Sequence, residues 1–198
     1  MDPLEQPDQA RWNARYATGD APSFAPHPLA VAALALGLPA GPVLDLACGP
    51  SGSALAAAEA GRRVTAVDVS DVALRLLAAE AARRGLGELI TPVYGDLAVW
   101  RPEPASYALV LCTGYWDSAV FAAAAQATLP GGVLAWQAFT QAARLDRPQL
   151  PPDWCLRPGE PASLLPADYD VLVDKPTDRE RGRMRQLLAR RVAARSAD

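Results

Sequence analysis

Three carboxylates and one loop of small residues carry the chemistry this chain displays. Asp45, Asp68 and Asp96 each follow an apolar, strand-like run, and between the first two lies the loop Ala47-Cys48-Gly49-Pro50-Ser51-Gly52. Residues 42–68 read as strand, tight loop, helix, second strand and acid, the first half of a nucleotide-type βαβ unit. The loop is formally A-x-G-x-x-G, which also approaches a dinucleotide fingerprint. Asp45 separates the two readings. A carboxylate at the end of the first strand repels a pyrophosphate and suits a ligand that carries positive charge. Pro50 lacks an N–H, so the loop also loses one donor for a phosphate. A cationic ligand is favoured, and an NAD(P)-dependent oxidoreductase is the weaker alternative.

The three acids meet only if the strands ending in them are neighbours in one parallel sheet, where ligands bind at the carboxyl ends. The remaining pattern supplies such a sheet. Strands are expected at 43–47, 64–68, 89–94, 107–112 and 133–139, alternating with helices. Ser70 is a plausible N-cap for a helix reaching residue 84, with Leu74, Leu77, Ala78 and Ala81 at helical spacing. A helix over 8–17 places Trp12 and Tyr16 on one face, and the apolar run 29–36 reads as a buried helix. A helix over 121–127 ends in the turn Leu129-Pro130-Gly131-Gly132. Two tail strands, 168–174 and 184–192, are joined closely enough to pair antiparallel. The expected fold class is α/β: a Rossmann-like, mainly parallel sheet with helices on both faces and a C-terminal antiparallel hairpin. One domain spans 1–198, with a helical cap (1–40), a core (42–140) and a closing helix and hairpin (160–194).

Bulk properties exclude several classes. Of 198 residues, 51% are hydrophobic and 21% charged, so the chain folds rather than staying disordered. A formal net charge of -3 gives no overall basic field for nucleic acid or anionic membranes. Cys48, Cys112 and Cys155 are far apart and fit a reduced cytoplasm. The start, MDPLEQPDQA, lacks the basic region of a signal peptide, and the run 29–36 is too short to span a bilayer. One histidine and scattered cysteines make no metal ligand set.

With these residues in view, the chain resembles the class I S-adenosylmethionine-dependent methyltransferase family. VLDLACGPSG resembles its first motif, TAVDVS the motif ending strand two, YGDL the strand-three motif, and LPGGVLAW the turn into strand five. RWNARYATGDAPSFAPHPLA and LRPGEPASLLPADYDVLVDKP resemble the flanks of small bacterial members related to tellurite-resistance and thiopurine enzymes. Ala47 stands where the first motif glycine usually is and Ser51 where the third is; Gly52 is expected to restore the lost conformational freedom.

The resemblance implies a site, residue by residue. Asp45 and the loop around Ala47, Cys48 and Gly49 would hold the methionine amine. Asp68 would accept from both ribose hydroxyls, and Val69 would line the adenine. Asp96 would bond the adenine amino group and the Leu97 N–H a ring nitrogen. Cys112 and Thr113 would lie near the methyl group. The cofactor would be S-adenosyl-L-methionine, the product S-adenosyl-L-homocysteine, and the partner a small-molecule acceptor.

No catalytic residue stands out. His27, in APHP, is a weak candidate for positioning or deprotonating an acceptor and reads better as structural. Tyr115 and Trp116 fall at the mouth of the acceptor pocket, with Trp12 and Tyr16 placed to close over it. Alternatively, these aromatics are core packing. The tail arginines Arg179, Arg181, Arg183, Arg185, Arg190, Arg191 and Arg195 form a basic cluster, read as a solvated strand face rather than a phosphate grip. Nucleic-acid methylation is disfavoured because LCTGYWD follows strand four instead of an Asn/Asp-Pro-Pro-aromatic segment. A methyltransferase fold that binds without turnover is a further alternative.

Overall fold

The computed structural model describes residues 7–18, 22–177 and 183–193. In chain order its elements are α1 (Pro7–Thr18), α2 (Pro28–Leu34), β1 (Val43–Leu46), α3 (Gly52–Glu59), β2 (Val64–Asp68), α4 (Asp71–Arg83), β3 (Ile90–Tyr94), β4 (Tyr107–Thr113), α5 (Ser118–Ala127), β5 (Thr128–Phe139), β6 (Tyr169–Pro176) and β7 (Met184–Arg191). The strands form one seven-stranded sheet in the order β3-β2-β1-β4-β5-β7-β6. β1 to β5 pair parallel, while β7 runs antiparallel to both β5 and β6.

The helices start where the sequence supplies a cap. Ser51 Oγ accepts from the Ala54 N–H at 3.0 Å and Ser70 Oγ from the Ala73 N–H at 3.2 Å. Asp117 accepts from Ala119 and Val120 at 2.8 and 2.9 Å. Each cap sits shortly after a strand end, so α3, α4 and α5 all leave from the carboxyl edge of the sheet.

Strand alternation divides the core into two layers. Leu109 and Leu111 of β4 face α2, α3 and α4, whose Leu29, Ala33, Leu55, Ala58 and Leu77 are buried there. Val110 and Cys112 face α5 and a ring cluster of Trp116, Phe121 and Trp136, with centroids 5.2–6.2 Å apart. The alanines of α3 let it lie close to the sheet: Ala54, Ala57 and Ala58 are each 1% exposed.

Three expectations change. The turn at Leu129-Pro130-Gly131-Gly132 lies inside β5, because Thr128 pairs with Tyr107 and Val133 with Leu109 across a bulge. Gly131 takes a φ of 78°, the left-handed backbone this irregularity needs. The run 29–36 is buried on one side only; Leu29, Ala30 and Ala33 are inside while Val31 is 49% exposed. The tail arginines do not make a free basic face. Arg183, Arg185 and Arg191 pair with Asp146, Asp174 and Asp168 at 2.8, 2.5 and 2.8 Å. Arg190 donates to the carbonyls of Gly131 and Leu36 at 2.8 and 2.5 Å, fastening β7 to the turn after α2. Arg179, Arg181 and Arg195 lie outside the described residues.

Candidate active site

The ends of β1, β2, β3 and β4 open into one cleft of about 640 Å³. Ala47, Asp68, Val69, Gly95, Asp96, Leu97, Ala98 and Thr113 to Trp116 form its floor and inner wall. Arg11, Trp12 and Arg15 of α1 close one side, and Phe139, Arg147 and Trp154 the other. The three acids therefore belong to adjacent strand ends, as parallel pairing of β1, β2 and β3 requires.

The small-residue loop is shaped by its backbone. Ala47 and Gly49 take φ values of 48° and 57°, both left-handed. Alanine supports this conformation at a modest cost, so the missing first glycine does not abolish the turn. Asp68 holds the loop from outside: one carboxylate oxygen accepts from the Gly49 N–H at 2.7 Å and the other from the Ser70 N–H at 2.8 Å. Burial pushes the Asp68 carboxyl above its usual range, opposed by the backbone N–H groups of Ser70, Gly49 and Val69.

Asp45 is 2% exposed. Ser51 Oγ donates to it at 2.6 Å and itself accepts from the Ala54 N–H, so the serine in place of the third glycine joins β1 to the start of α3. Burial pushes the Asp45 carboxyl up to about 7; the Ser51 hydrogen bond opposes this, and the Asp68 charge adds to it. The same carboxylates, after burial itself, push the Cys48 thiol up, so it stays protonated and is no nucleophile. Asp45, Cys48 and Gly49 lie behind the cleft surface rather than on it.

Gly52 does a different job from the expected one. Its φ is not left-handed; a Cβ there would collide with the Phe24 and Ala25 carbonyl oxygens. Those carbonyls occupy the approach to α3, where a dinucleotide's pyrophosphate would need N–H donors. This speaks against the oxidoreductase alternative independently of Asp45. Gly52→Ala is expected to lower stability by about 1–3 kcal/mol, the usual cost of overpacking, read as a fall in Tm by differential scanning calorimetry. An unchanged Tm would show that the 24–25 segment yields freely.

Two other residues, Cys112 and Tyr16, are placed differently from expectation, while His27 is structural as expected. Cys112 is fully buried against α5, so the β4 residue that reaches the cleft is Thr113. His27 caps α2: its Nδ1 accepts from the Leu29 N–H at 3.1 Å, its Nε2 lies 3.2 Å from the Gln137 amide nitrogen, and its ring is outside the cleft. Tyr16 stacks on Trp12 with centroids 6.1 Å apart, but it covers Gly49, where an added Cβ would lie 2.8 Å from its hydroxyl. Burial and the Asp68 charge push that hydroxyl up to about 12. Trp116 serves both readings, packed into the ring cluster yet touching the cleft. Asp96 accepts from the Ala98 N–H at 2.8 Å, which fixes the turn carrying Leu97.

Sequence reading missed what docks α1. Asn13 donates to Asp71 at 2.7 Å and accepts from Ser70 Oγ at 2.7 Å, pinning the helix to the start of α4. Asn13→Ala is expected to loosen α1 by about 1–3 kcal/mol. The readout is faster hydrogen exchange confined to residues 7–18 and weaker closure over Gly49. Arg147 and Trp154 were missed as well, because the stretch after β5 shows no periodicity.

A sheet of this order, with acids at the ends of β1, β2 and β3 around a left-handed loop, is the class I methyltransferase fold. Residues 43–132 match the family described as a methyltransferase domain. Similar solved structures agree in fold. An S-adenosylmethionine-dependent methyltransferase from Mesorhizobium loti is 20% identical, with TM-score 0.64, over 81% of this chain and 96% of that one. Geranyl diphosphate C-methyltransferase from Streptomyces coelicolor A3(2), bound to S-adenosyl-L-homocysteine, is 14% identical, with TM-score 0.65, over 98% and 99%. TehB from Haemophilus influenzae is 18% identical, with TM-score 0.63, over 82% and 61%. No curated protein matches the chain by sequence. Among the described residues no helix is long and apolar enough to cross a membrane, and no cluster of three His, Cys, Asp or Glu side chains could hold a metal.

Proposed function

We propose that this chain transfers the methyl group of S-adenosyl-L-methionine to a small-molecule nucleophile. The observation that carries the reading is Asp68, which braces the left-handed loop through Gly49 while lining the cleft. A carboxylate has further lone pairs for the two ribose hydroxyls. Val69 and Leu97 offer apolar walls for the adenine, and Asp96 an acceptor for its amino group. Asp45 supplies negative charge behind the loop for the methionine ammonium.

The step is an in-line displacement. A lone pair on the acceptor forms the new bond to the methyl carbon as the carbon–sulfur bond breaks, and the electron pair leaves on sulfur as neutral S-adenosyl-L-homocysteine. The donor is already reactive, so holding the two groups in line supplies much of the rate. Thr113, which ends β4, and Tyr115, two residues on, lie beside this point and, with Trp12, Trp116 and Trp154, exclude water. Neither His27 nor Tyr115 serves as a general base. His27 is a helix cap outside the cleft. Burial, then the Asp117 charge, pushes the Tyr115 hydroxyl far up, which keeps it protonated. A base is dispensable for an acceptor that arrives with a low-pKa nucleophile, a thiol or selenol, or with a formed anion. Three free cysteines fit a reducing, cytoplasmic setting.

The deciding experiment is isothermal titration with S-adenosyl-L-homocysteine, with NADH in parallel. Micromolar binding of the first alone supports the reading and opens an acceptor screen with labelled donor. Binding without turnover on any nucleophile favours the module without activity. Silence toward S-adenosyl-L-homocysteine removes the methyltransferase reading.

A further inference from the structure

We propose that the acceptor is a flat, unsaturated molecule bearing a carboxylate or phosphate, and that Arg11 and Arg147 hold this oxyanion while Trp12, Trp154 and Phe139 bracket its body. The inference rests on the methyltransferase reading for the word acceptor; the oxyanion site itself stands on geometry.

The cleft lining carries three acids, Asp8, Asp68 and Asp96, and three arginines, Arg11, Arg15 and Arg147. Asp68 and Asp96 sit at the strand ends, and the Asp96 and Asp8 charges both act on Tyr115. Arg15 acts on Tyr16, on the loop side. Arg11 belongs to α1, on one side of the cleft, and Arg147 to the stretch after β5, on the other. The Arg11 guanidinium lies 5.0 Å from the Trp154 ring centroid and 5.7 Å from that of Trp12. The Arg147 guanidinium lies 4.8 Å from the Phe139 centroid. All of these residues line the one cleft.

What marks Arg11 and Arg147 is where their hydrogen bonds do not go. Most arginines away from the cleft are used by the fold: Arg75, Arg83, Arg84, Arg183, Arg185 and Arg191 pair with carboxylates, and Arg62, Arg101, Arg144 and Arg190 hold backbone carbonyls. Among the described residues, the three arginines of the cleft, Arg11, Arg147 and Arg15, have neither a carboxylate within 4.0 Å nor a hydrogen-bonded side-chain partner, and Arg15 also lies 5.6 Å from the Trp12 centroid. A guanidinium laid on a ring uses its face and keeps its in-plane N–H fork for a planar oxyanion. The chain carries 22 acids against 19 Lys and Arg, so the three unpaired arginines at one cleft are not a surplus of base. The plainer reading is that exposed arginines merely cover apolar rings. It accounts for one stacked arginine. It does not account for Arg11 and Arg147 together, from elements far apart in sequence on opposite sides of one cavity, each over a ring that lines it.

The test uses the full chain, free and saturated with S-adenosyl-L-homocysteine, and follows tryptophan fluorescence. The probes are naphthoate, naphthyl phosphate, the neutral naphthamide and inorganic phosphate. Both naphthyl anions are expected to bind about tenfold or more tightly than naphthamide, and more tightly than inorganic phosphate. Their ratio reports whether carboxylate or phosphate is the better fit. Arg11→Gln and Arg147→Gln, both exposed and so compatible with folding, are each expected to weaken the anions about ten- to a hundredfold. Naphthamide and S-adenosyl-L-homocysteine isotherms stay unchanged in both variants. Equal binding of naphthamide and naphthoate, anion binding untouched in both variants, or no naphthyl binding at all would overturn the proposal. Inorganic phosphate binding as tightly as naphthyl phosphate would overturn the flat body. Failure of S-adenosyl-L-homocysteine to bind removes the methyltransferase reading separately, because the free chain still reports the oxyanion site.

Discussion

Asp68→Ala is expected to cost the protein its cofactor before it costs the fold. The substitution removes both acceptors at once. The Gly49 N–H, now bonded at 2.7 Å, and the Ser70 N–H, bonded at 2.8 Å, lose their partner. The first leaves a left-handed loop residue unbraced; the second loosens the turn into α4. Buried donors left unpaired cost about 1–3 kcal/mol, which appears as a lower Tm in the free protein. On the proposed contact of this carboxylate with the ribose hydroxyls, S-adenosyl-L-homocysteine affinity should fall a further ten- to a hundredfold or so. The two effects are separable. Tm without ligand reads the brace, and the ligand-induced rise in Tm reads the contact; at about 100 Kd that rise corresponds to about 2.7 kcal/mol in the native chain. A lower Tm with an undiminished ligand-induced rise would reduce Asp68 to a structural acid. Asp68→Asn is expected to be nearly as damaging, because its amide NH₂ must face one of the two backbone donors.

The parts of this site that could be read in advance share a physical cause. β1, β2 and β4 are buried strands, so their sequences are continuous apolar runs whose ends are marked by Asp45, Asp68 and Thr113-Gly114. Helix caps are local chemistry, and Ser70 was legible for that reason. What was not legible depends on register or on distant packing. β4 runs one residue further than its apolar run, and that residue decides that Thr113, not Cys112, reaches the cleft. Pro130-Gly131-Gly132 looks like a turn in any sequence, and only pairing with β4 shows it to be a bulge. Gly52 is needed for space, and the atoms that demand the space belong to Phe24 and Ala25. Trp12 and Tyr16 share a helix face by periodicity, but Asn13 on Ser70 and Asp71 decides what that face covers. The wall with Arg147 and Trp154 is built from short 3-10 turns, Gln141–Leu145 and Pro152–Trp154, tied by the bridge between Thr140 and Leu156. Such turns have no period to read.

Binding of S-adenosyl-L-homocysteine at pH 6 is expected to release close to one proton, and that proton to come from Asp45. In the free protein burial holds this carboxyl at about 7, against an ordinary value of 3.8. The sign follows. A carboxyl raised on folding favours the folded state while protonated; that contribution is complete below the ordinary value and is lost as pH rises through about 7. The free protein should therefore lose stability between about pH 4 and pH 7, by an amount on the order of 4 kcal/mol at most. Asp45→Asn keeps an acceptor for Ser51 Oγ and cannot ionise, so its stability should be flat across this window and exceed the native chain's at pH 8. A ligand ammonium reverses the balance. Positive charge near the loop favours the carboxylate, so affinity rises with pH by up to about tenfold per unit below pH 7 and levels off above it. Titration in two buffers of different ionisation enthalpy counts the proton. Methylthioadenosine, which lacks the ammonium, should release none, and Asp45→Asn should release none with either ligand. Equal proton release by S-adenosyl-L-homocysteine and methylthioadenosine would place the titrating group elsewhere. A pH-independent affinity in the native chain would mean that Asp45 stays behind the loop as a structural acid, and that the ammonium is met by other groups of the cleft.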